Sequence, residues 1–288
     1  MSTYAYTTVQ DPKGNPFKLP VFMTQHVIDS ITQQFRVRDD DVFIVTYPRS
    51  GTTWMQQIVH LLIHQGIQGD QHLEMVIPYL ERATAFDGIE KCEQTRDRRY
   101  FKTHLPITFG LYHQNPKAKF IYVARNPKDC AVSLYYFVTN NYRIAYDGTW
   151  DDFFELFISG NTIYGDWFQH VLQWWSASKK ANTILFIKYE DMQSQLSDVI
   201  AKIVQFLDIP ISPELMNVVI SKSTFENMAG NSNTNLAWAA WRTDATTKPL
   251  RKGLVGDWKN HFSLEQNAVF DAIYQQKMED CGLQFNFE

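Results

Sequence analysis

Four short runs, Asp41 to Tyr47 (DVFIVTY), Tyr100 to Thr103 (YFKT), Lys119 to Ala124 (KFIYVA) and Thr183 to Lys188 (TILFIK), constrain this chain more than any other feature. They are nearly continuous in apolar and β-branched residues, the pattern of strands buried on both faces. Between and after them, apolar residues recur at helical spacing. Examples are Trp54, Ile58, Leu61 and Leu62, then Phe153, Phe154, Phe157 and Ile158. Trp167, Val171, Trp174 and Trp175 continue the pattern, as do Val199, Ile203, Phe206 and Leu207. This alternation predicts an α/β fold with a central, mostly parallel sheet flanked by helices. No repeat, low-complexity tract or long linker divides the chain, so one domain is expected over residues 1–288. Ligands of such sheets sit at the carboxyl ends of the strands, which directs attention to the loops after Tyr47, Thr103, Ala124 and Lys188.

Composition narrows the partners. Lys and Arg number 27 against 31 Asp and Glu, and a net charge of −4 provides no global basic field for nucleic acid. The apolar runs fall far short of the roughly 20 residues needed to span a membrane, and the N-terminus lacks the features of a secretory signal. The three cysteines, Cys92, Cys130 and Cys281, include no C-x-x-C pair, which fits reduced thiols in the cytoplasm. Aromatic residues reach 15%, a surplus to be divided between core and any flat, apolar ligand site.

The first strand runs into Tyr47-Pro48-Arg49-Ser50-Gly51-Thr52-Thr53-Trp54 and then an apolar helix. A strand, tight turn and helix start form a P-loop-like anion cradle, because backbone N–H groups and the helix dipole converge on the turn. Gly51 permits close approach, Ser50, Thr52 and Thr53 add hydroxyls, and Arg49 adds a positive fork. A Walker A loop would need G-x-x-x-x-G-K-[ST]; its first glycine and lysine are both absent, which counts against a P-loop kinase. The other strand ends carry cations too: Lys102-Thr103-His104-Leu105-Pro106, then Arg125-Asn126-Pro127-Lys128-Asp129 with Ser133 beyond. Tyr189-Glu190-Asp191-Met192 follows the fourth run, and Arg251-Lys252-Gly253 adds charge late in the chain. An acidic protein that places Arg49, Lys102, Arg125, Arg251 and Lys252 at the ligand edge is gathering them around a polyanion.

The combination TYPRSGTTW, KTHLP, VARNPKD with Ser133, YEDM and RKGLVGDW resembles the cytosolic sulfotransferases, which use 3'-phosphoadenosine 5'-phosphosulfate (PAPS). The likeness extends from about Lys18 to Phe285. It implies sulfuryl transfer to a hydroxyl, or an amine, of a small and largely apolar acceptor such as a phenol or steroid-like alcohol, without a metal. Arg49, Ser50, Gly51, Thr52, Thr53 and Trp54 would hold the 5'-phosphosulfate, with Trp54 and Phe225 flanking the adenine. Arg125, Ser133, Arg251, Lys252 and Gly253 would bind the 3'-phosphate, and Tyr189, Ser223 and Met228 would line the nucleotide pocket. His104 would be the general base, with Lys102, Arg49 and Ser133 assisting. Lys102, Thr103, His104, Tyr79, Phe137 and Phe22 would meet the acceptor, joined by Phe86 and Tyr142. The product would be 3'-phosphoadenosine 5'-phosphate (PAP). A non-catalytic nucleotide-binding or apolar-ligand-binding member is the alternative from another functional class.

Two departures stand out. Arg49 occupies the place where this family usually has lysine, keeping the charge on a bulkier fork. The family's dimerisation stretch K-x-x-x-T-V-x-x-x-E appears as Lys259, Ser263, Leu264 and Ala268, so only its lysine is kept and a homodimer does not follow from it. Elsewhere Asp39-Asp40-Asp41 reads as a solvated turn, and His60 and His64 have metal-pair spacing without the zincin glutamate. The polar stretch at about residues 231–250, with Trp238 and Trp241, reads as an active-site lid.

Overall fold

In the computed structural model, which describes residues 4–235, 241–245 and 248–288, an antiparallel hairpin of β1 (Thr7–Gln10) and β2 (Pro16–Leu19) precedes the main sheet. The sheet comprises β3 (Val42–Thr46), β4 (Tyr100–Thr103), β5 (Lys119–Ala124) and β6 (Ile184–Lys188), all parallel, in the order β4-β3-β5-β6. These are the four apolar runs. β3 is buried at every position, which is why it reads as continuous rather than alternating.

Alternation still decides which core each side chain joins. Phe43, Val45, Phe101, Phe120 and Tyr122 enter one cluster, while Val42, Ile44, Ile121 and Val123 enter the other, as a period of two requires. Register places Phe43 beside both Phe101 and Phe120, and its ring stacks on theirs at centroid separations of 5.6 and 4.9 Å. Part of the aromatic surplus is thus a ladder across three strands.

Eight helices matter to the argument: α1 (Thr52–Ile63), α2 (Leu80–Asp87), α3 (Pro127–Asn140), α4 (Trp150–Ile158), α5 (Trp167–Ser178), α6 (Leu196–Leu207), α7 (Pro213–Lys222) and α8 (Leu264–Met278). α1, α6 and α7 cover the Val42 face through Ile58, Leu61, Leu62, Val199, Ile203 and Val219. α3, α4, α5 and α8 cover the Phe43 face, burying Leu134, Phe157, Trp167, Trp174 and Phe270. Their starts are sequence-coded. Asn126 caps α3 ahead of Pro127, and Thr149 with Asp152 and Ser263 with Gln266 form capping boxes on α4 and α8.

The expectation for Asp39-Asp40-Asp41 needs correction at its last residue. Asp41 is fully buried and holds the guanidinium of Arg99 at 2.7 Å (Oδ1–Nε) and 2.5 Å (Oδ2–Nη2), a two-pronged pair pinning β3 to β4. A bidentate partner makes that burial tolerable. Nothing local in the sequence announces a partner 58 residues away. His60 and His64 are neighbours with ring centroids 4.5 Å apart, but His60 Nε2 meets Gln68 O at 2.7 Å and His64 Nδ1 meets His60 O at 2.9 Å. No group of metal-ligating side chains occurs among the described residues. None of their helices is long and apolar enough to cross a membrane.

Candidate functional site

A cavity of about 820 Å³ opens at the carboxyl ends of β3, β4 and β5 and extends to the segment 249–254. Its floor is the turn between β3 and α1. Two departures into left-handed backbone on either side of Ser50, Arg49 at φ 72° and Gly51 at φ 100°, fold that turn back on itself. A Cβ at Gly51 would lie 2.8 Å from the Tyr189 ring, so glycine is needed there for both conformation and space. Gly51 is also the N-cap of α1 and provides no side-chain cap. The first N–H groups of the helix are therefore left for whatever occupies the cavity, which excludes an ordinary Ser/Thr-capped helix start.

The cations converge on this turn, and each is held from behind. Arg49 Nε donates to Ser133 Oγ at 3.1 Å and its Nη2 donates to Pro249 O at 2.7 Å. Arg125 lies over the Tyr189 ring at 4.4 Å and donates through Nη2 to Leu254 O at 2.8 Å. Arg251 and Lys252 share Asp257 at 2.5 and 2.6 Å. Burial opposes ionisation of Asp257, yet hydrogen bonds from Lys252, Asn260 and Arg251 hold it well below the usual carboxylate range. Burial and then the nearby charge of Arg125 push Arg49 down to about 10, with Arg251 adding to the effect. A guanidinium depressed by burial and by the charges of its neighbours is stabilised by an incoming anion.

Carboxylates missed at the sequence level hold this assembly together. Asp129 accepts from Gly256 N at 2.8 Å and Trp258 N at 2.9 Å, joining the segment after Arg251 to the first turn of α3. Glu190 accepts from Asn126 N at 2.7 Å, and burial pushes it up to about 7. At Gly253 a side chain would collide with the Phe225 ring, so that close approach also requires glycine. Among the described residues, Trp54 Nε1, Arg125 Nε, Ser223 Oγ and Arg251 Nε are buried polar atoms without a hydrogen-bond partner, on residues that line the cavity. Unpaired donors beside clustered cations fit a polyanionic nucleotide.

At the other end, β4 delivers Lys102 and then His104. Lys102 Nζ pairs with Glu74 at 2.5 Å, and both line the cavity. His104 Nδ1 lies 3.0 Å from Thr46 O and 3.1 Å from the Thr46 hydroxyl oxygen; the carbonyl can only accept, so the tautomer protonated at Nδ1 is the one that satisfies it. Nε2 then has the free lone pair. Burial and the charge of Lys102 push His104 down to about 3, keeping the imidazole neutral across the physiological range. Its backbone is fixed at both ends. His104 N donates to Glu81 Oε1 at 2.9 Å, while His170 Nε2, whose ring accepts from the Tyr122 hydroxyl through Nδ1, donates to His104 O at 3.1 Å. Glu81 is fully buried and pushed up by that burial to about 7. It has no sequence motif; only the three-dimensional neighbourhood identifies it.

Most residues singled out in the sequence meet in this cavity: Arg49, Gly51, Thr52, Thr53, Trp54, Lys102, His104, Arg125, Ser133, Tyr189, Ser223, Phe225, Met228, Arg251, Lys252 and Gly253 line it. So do Phe22, Tyr79, Phe137 and Tyr142. Three lie outside the lining. Ser50 Oγ is beneath the turn, 3.7 Å from Cys130 Sγ, and the Thr103 hydroxyl donates to Glu81 at 2.8 Å. Phe86 packs on Phe22 instead, at 5.8 Å between centroids. Trp238 lies outside the described residues, as do residues 236–240 and 246–247 of the expected lid.

Residues 39–282 match the model of the sulfotransferase domain. Human sulfotransferase 1C2 is 37% identical over 266 residues, covering 89% of each chain, and dog sulfotransferase 1B1 is 38% identical over 267 residues with the same coverage. Among solved structures, mouse sulfotransferase SULT7A1 complexed with PAP superposes with a TM-score of 0.76 at 30% identity, covering 94% of both chains. Retinol dehydratase in complex with androsterone and PAP shares the fold, with a TM-score of 0.82 at 23% identity over 99% of this chain and 92% of the other. The chain belongs to the sulfotransferase family.

Proposed function

We propose that this sulfotransferase moves a sulfuryl group from PAPS to the hydroxyl, or the amine, of a small and largely apolar acceptor, with His104 as general base. The observation that carries this reading is the state of His104: neutral, its Nδ1 committed to Thr46 O, its Nε2 lone pair free, in the same cavity as Arg49 and Lys102. The whole chain acts as one domain, and no metal takes part.

PAPS supplies the sulfuryl group and a leaving phosphate. Arg49, Gly51, Thr52, Thr53 and Trp54 hold its 5' end through the free N–H groups of α1 and the Arg49 fork, with the Ser50 side chain supporting the turn from beneath. Arg125, Ser133, Arg251, Lys252 and Gly253 hold the 3'-phosphate, where an anion matches the cations already tethered by Asp257 and Leu254 O. Trp54 and Phe225 flank the adenine, with Tyr189, Ser223 and Met228 closing the pocket around it. On the other side, Tyr79, Phe137 and Phe22 shape the acceptor site, joined by Tyr142, while Thr103 stays behind the lining and holds Glu81.

The chain's own work is to orient two oxygens, exclude water and manage one proton. His104 Nε2 takes the acceptor's hydroxyl proton while Thr46 O stabilises the imidazolium that results. Lys102 and Arg49 offset charge that grows on the departing oxygen, and Ser133 holds Arg49 at the required angle. Glu81 and His170 keep the His104 backbone fixed. Residues 231–250 act as a lid, supported by Pro249 and Leu250 in the cavity lining and by the bridge from Trp241 to Asn141. The protein resides in the cytoplasm.

Incubation with labelled PAPS or ATP and a panel of phenols tests this reading. Label should pass from PAPS to a phenol; phosphorylation without sulfation, or tight PAP binding with no transfer, would overturn it.

A further inference from the structure

Resting on the sulfuryl-transfer reading above, we propose that the acceptor is an apolar hydroxyl compound with an anionic group at the end remote from the hydroxyl, held by Arg143 and Arg82 at the cavity mouth. A chain of aromatic rings leads outward from the base. His104 and Tyr79 are 5.2 Å apart between centroids, Tyr79 and Phe22 6.4 Å, and Phe22 and Phe86 5.8 Å. At its outer end the Arg82 guanidinium lies 5.4 Å and the Arg143 guanidinium 5.9 Å from the Phe86 ring centre. Arg143 also lies 5.8 Å from the ring centre of Tyr142, which is 57% exposed. The cavity is therefore apolar along its length and cationic at its opening.

Charge counting on this side favours an anion. Arg82, Lys102 and Arg143 line it against one carboxylate, Glu74, among the described lining residues near His104. Glu74 is already engaged, by Lys102 at 2.5 Å and by Arg82 at 3.4 Å. Arg143 meets no carboxylate among the described residues; its guanidinium contacts are the two rings. A guanidinium packed against an aromatic face keeps its in-plane N–H fork available, and that fork matches a carboxylate in a two-pronged contact. An acceptor with a hydroxyl at His104, an apolar body along Tyr79 and Phe22 and a carboxylate or sulfonate at Arg143 would satisfy the whole surface. A protonated amine at that end would meet two like charges.

The test uses ω-(4-hydroxyphenyl)alkanoates of increasing chain length, their methyl esters and the matching alkylamines as acceptors with PAPS. At the chain length that spans the cavity, the acid should have a KM about tenfold to hundredfold below its ester, the range for a charge-assisted hydrogen bond. The amine should be the poorest of the three. In Arg143→Gln the ester-to-acid KM ratio should fall towards one, and Arg143→Glu should invert the order in favour of the amine. Equal KM for acid and ester at every length, or an unchanged ratio in Arg143→Glu, would overturn the acceptor class while leaving sulfuryl transfer intact. Failure of every compound, 4-nitrophenol included, to be sulfated while PAP still binds would overturn the transfer reading and this proposal with it.

Discussion

In the cationic half of the cavity each charged side chain is tied to backbone or carboxylate: Arg49 to Pro249 O, Arg125 to Leu254 O, Arg251 and Lys252 to Asp257. In the aromatic half, Phe86 and Tyr142 are 56% and 57% exposed, and the outer rings Phe22 and Phe86 pack on one another, while the inner ring, Tyr79, ties its hydroxyl to that of Tyr164. One half is built to hold a fixed shape of charge, the other to accept variable apolar bodies. His104, the proposed base, and Lys102 lie between them, held by Glu81, His170 and Glu74. A two-substrate enzyme with one invariant and one variable partner needs this asymmetry, since preorganised hydrogen bonds confer selectivity on the former and adaptable apolar contact admits the latter.

Substitutions can break this contrast, beginning with the largest effect. His104→Ala should reduce turnover by roughly 10²- to 10⁴-fold, the usual range for a general base, while PAP binding measured by calorimetry stays near wild type. Comparable turnover would remove His104 from proton transfer. Arg251→Ala should weaken PAP by about tenfold to hundredfold but 5'-AMP much less, since only PAP has the 3'-phosphate. Equal losses would mean the cationic half does not read that group.

Glu81→Gln sharpens the contrast through pH. With Glu81 raised to about 7, its carboxylate form is present above that pH and lost as pH falls through it, and with it the firm hold on Thr103 and His104 N. His104, lowered to about 3, does not titrate in the same window. With an acceptor that does not ionise, kcat should rise through pH 7 in the wild type. Glu81→Gln should flatten that rise and cut kcat about tenfold without changing the KM for PAPS. A rise near pH 7 that survives the substitution would assign it to another group. Tyr142→Ala should have the smallest effect, a few-fold change in acceptor KM that varies from one acceptor to the next and no change for PAP. A uniform change across acceptors would make the aromatic half as specific as the cationic one.

The cationic half was the more legible of the two in the sequence because its parts are local. Arg49 to Trp54 is one turn with its helix start, and Arg251 to Gly253 is one segment, so the chemistry appears as contiguous motifs. The strands were legible for the same reason: burial on both faces leaves a continuous apolar signature. Glu81, Asp129 and His170 were not legible as supports, since their partners at Thr103, Gly256 and His104 come from other elements and a lone acidic or histidine residue carries no periodicity. Asp41 misled for that reason: beside two other aspartates it looks like solvent-facing charge until Arg99 is placed against it.

By itself the sequence determined the parallel sheet, the anion cradle and the family, because each is encoded by residues adjacent in the chain or repeated at a fixed period. Tertiary structure alone decided which carboxylates lock the cations, which carbonyl faces His104 Nδ1 and where Arg82 and Arg143 stand relative to the Phe86 ring. Asp257 is close in the chain to the cations it holds, but Glu74 is 28 positions from Lys102, Thr46 is 58 from His104 and Asp129 is 127 from Gly256. Such contacts follow only when hydrophobic burial has fixed the packing of helices on the sheet.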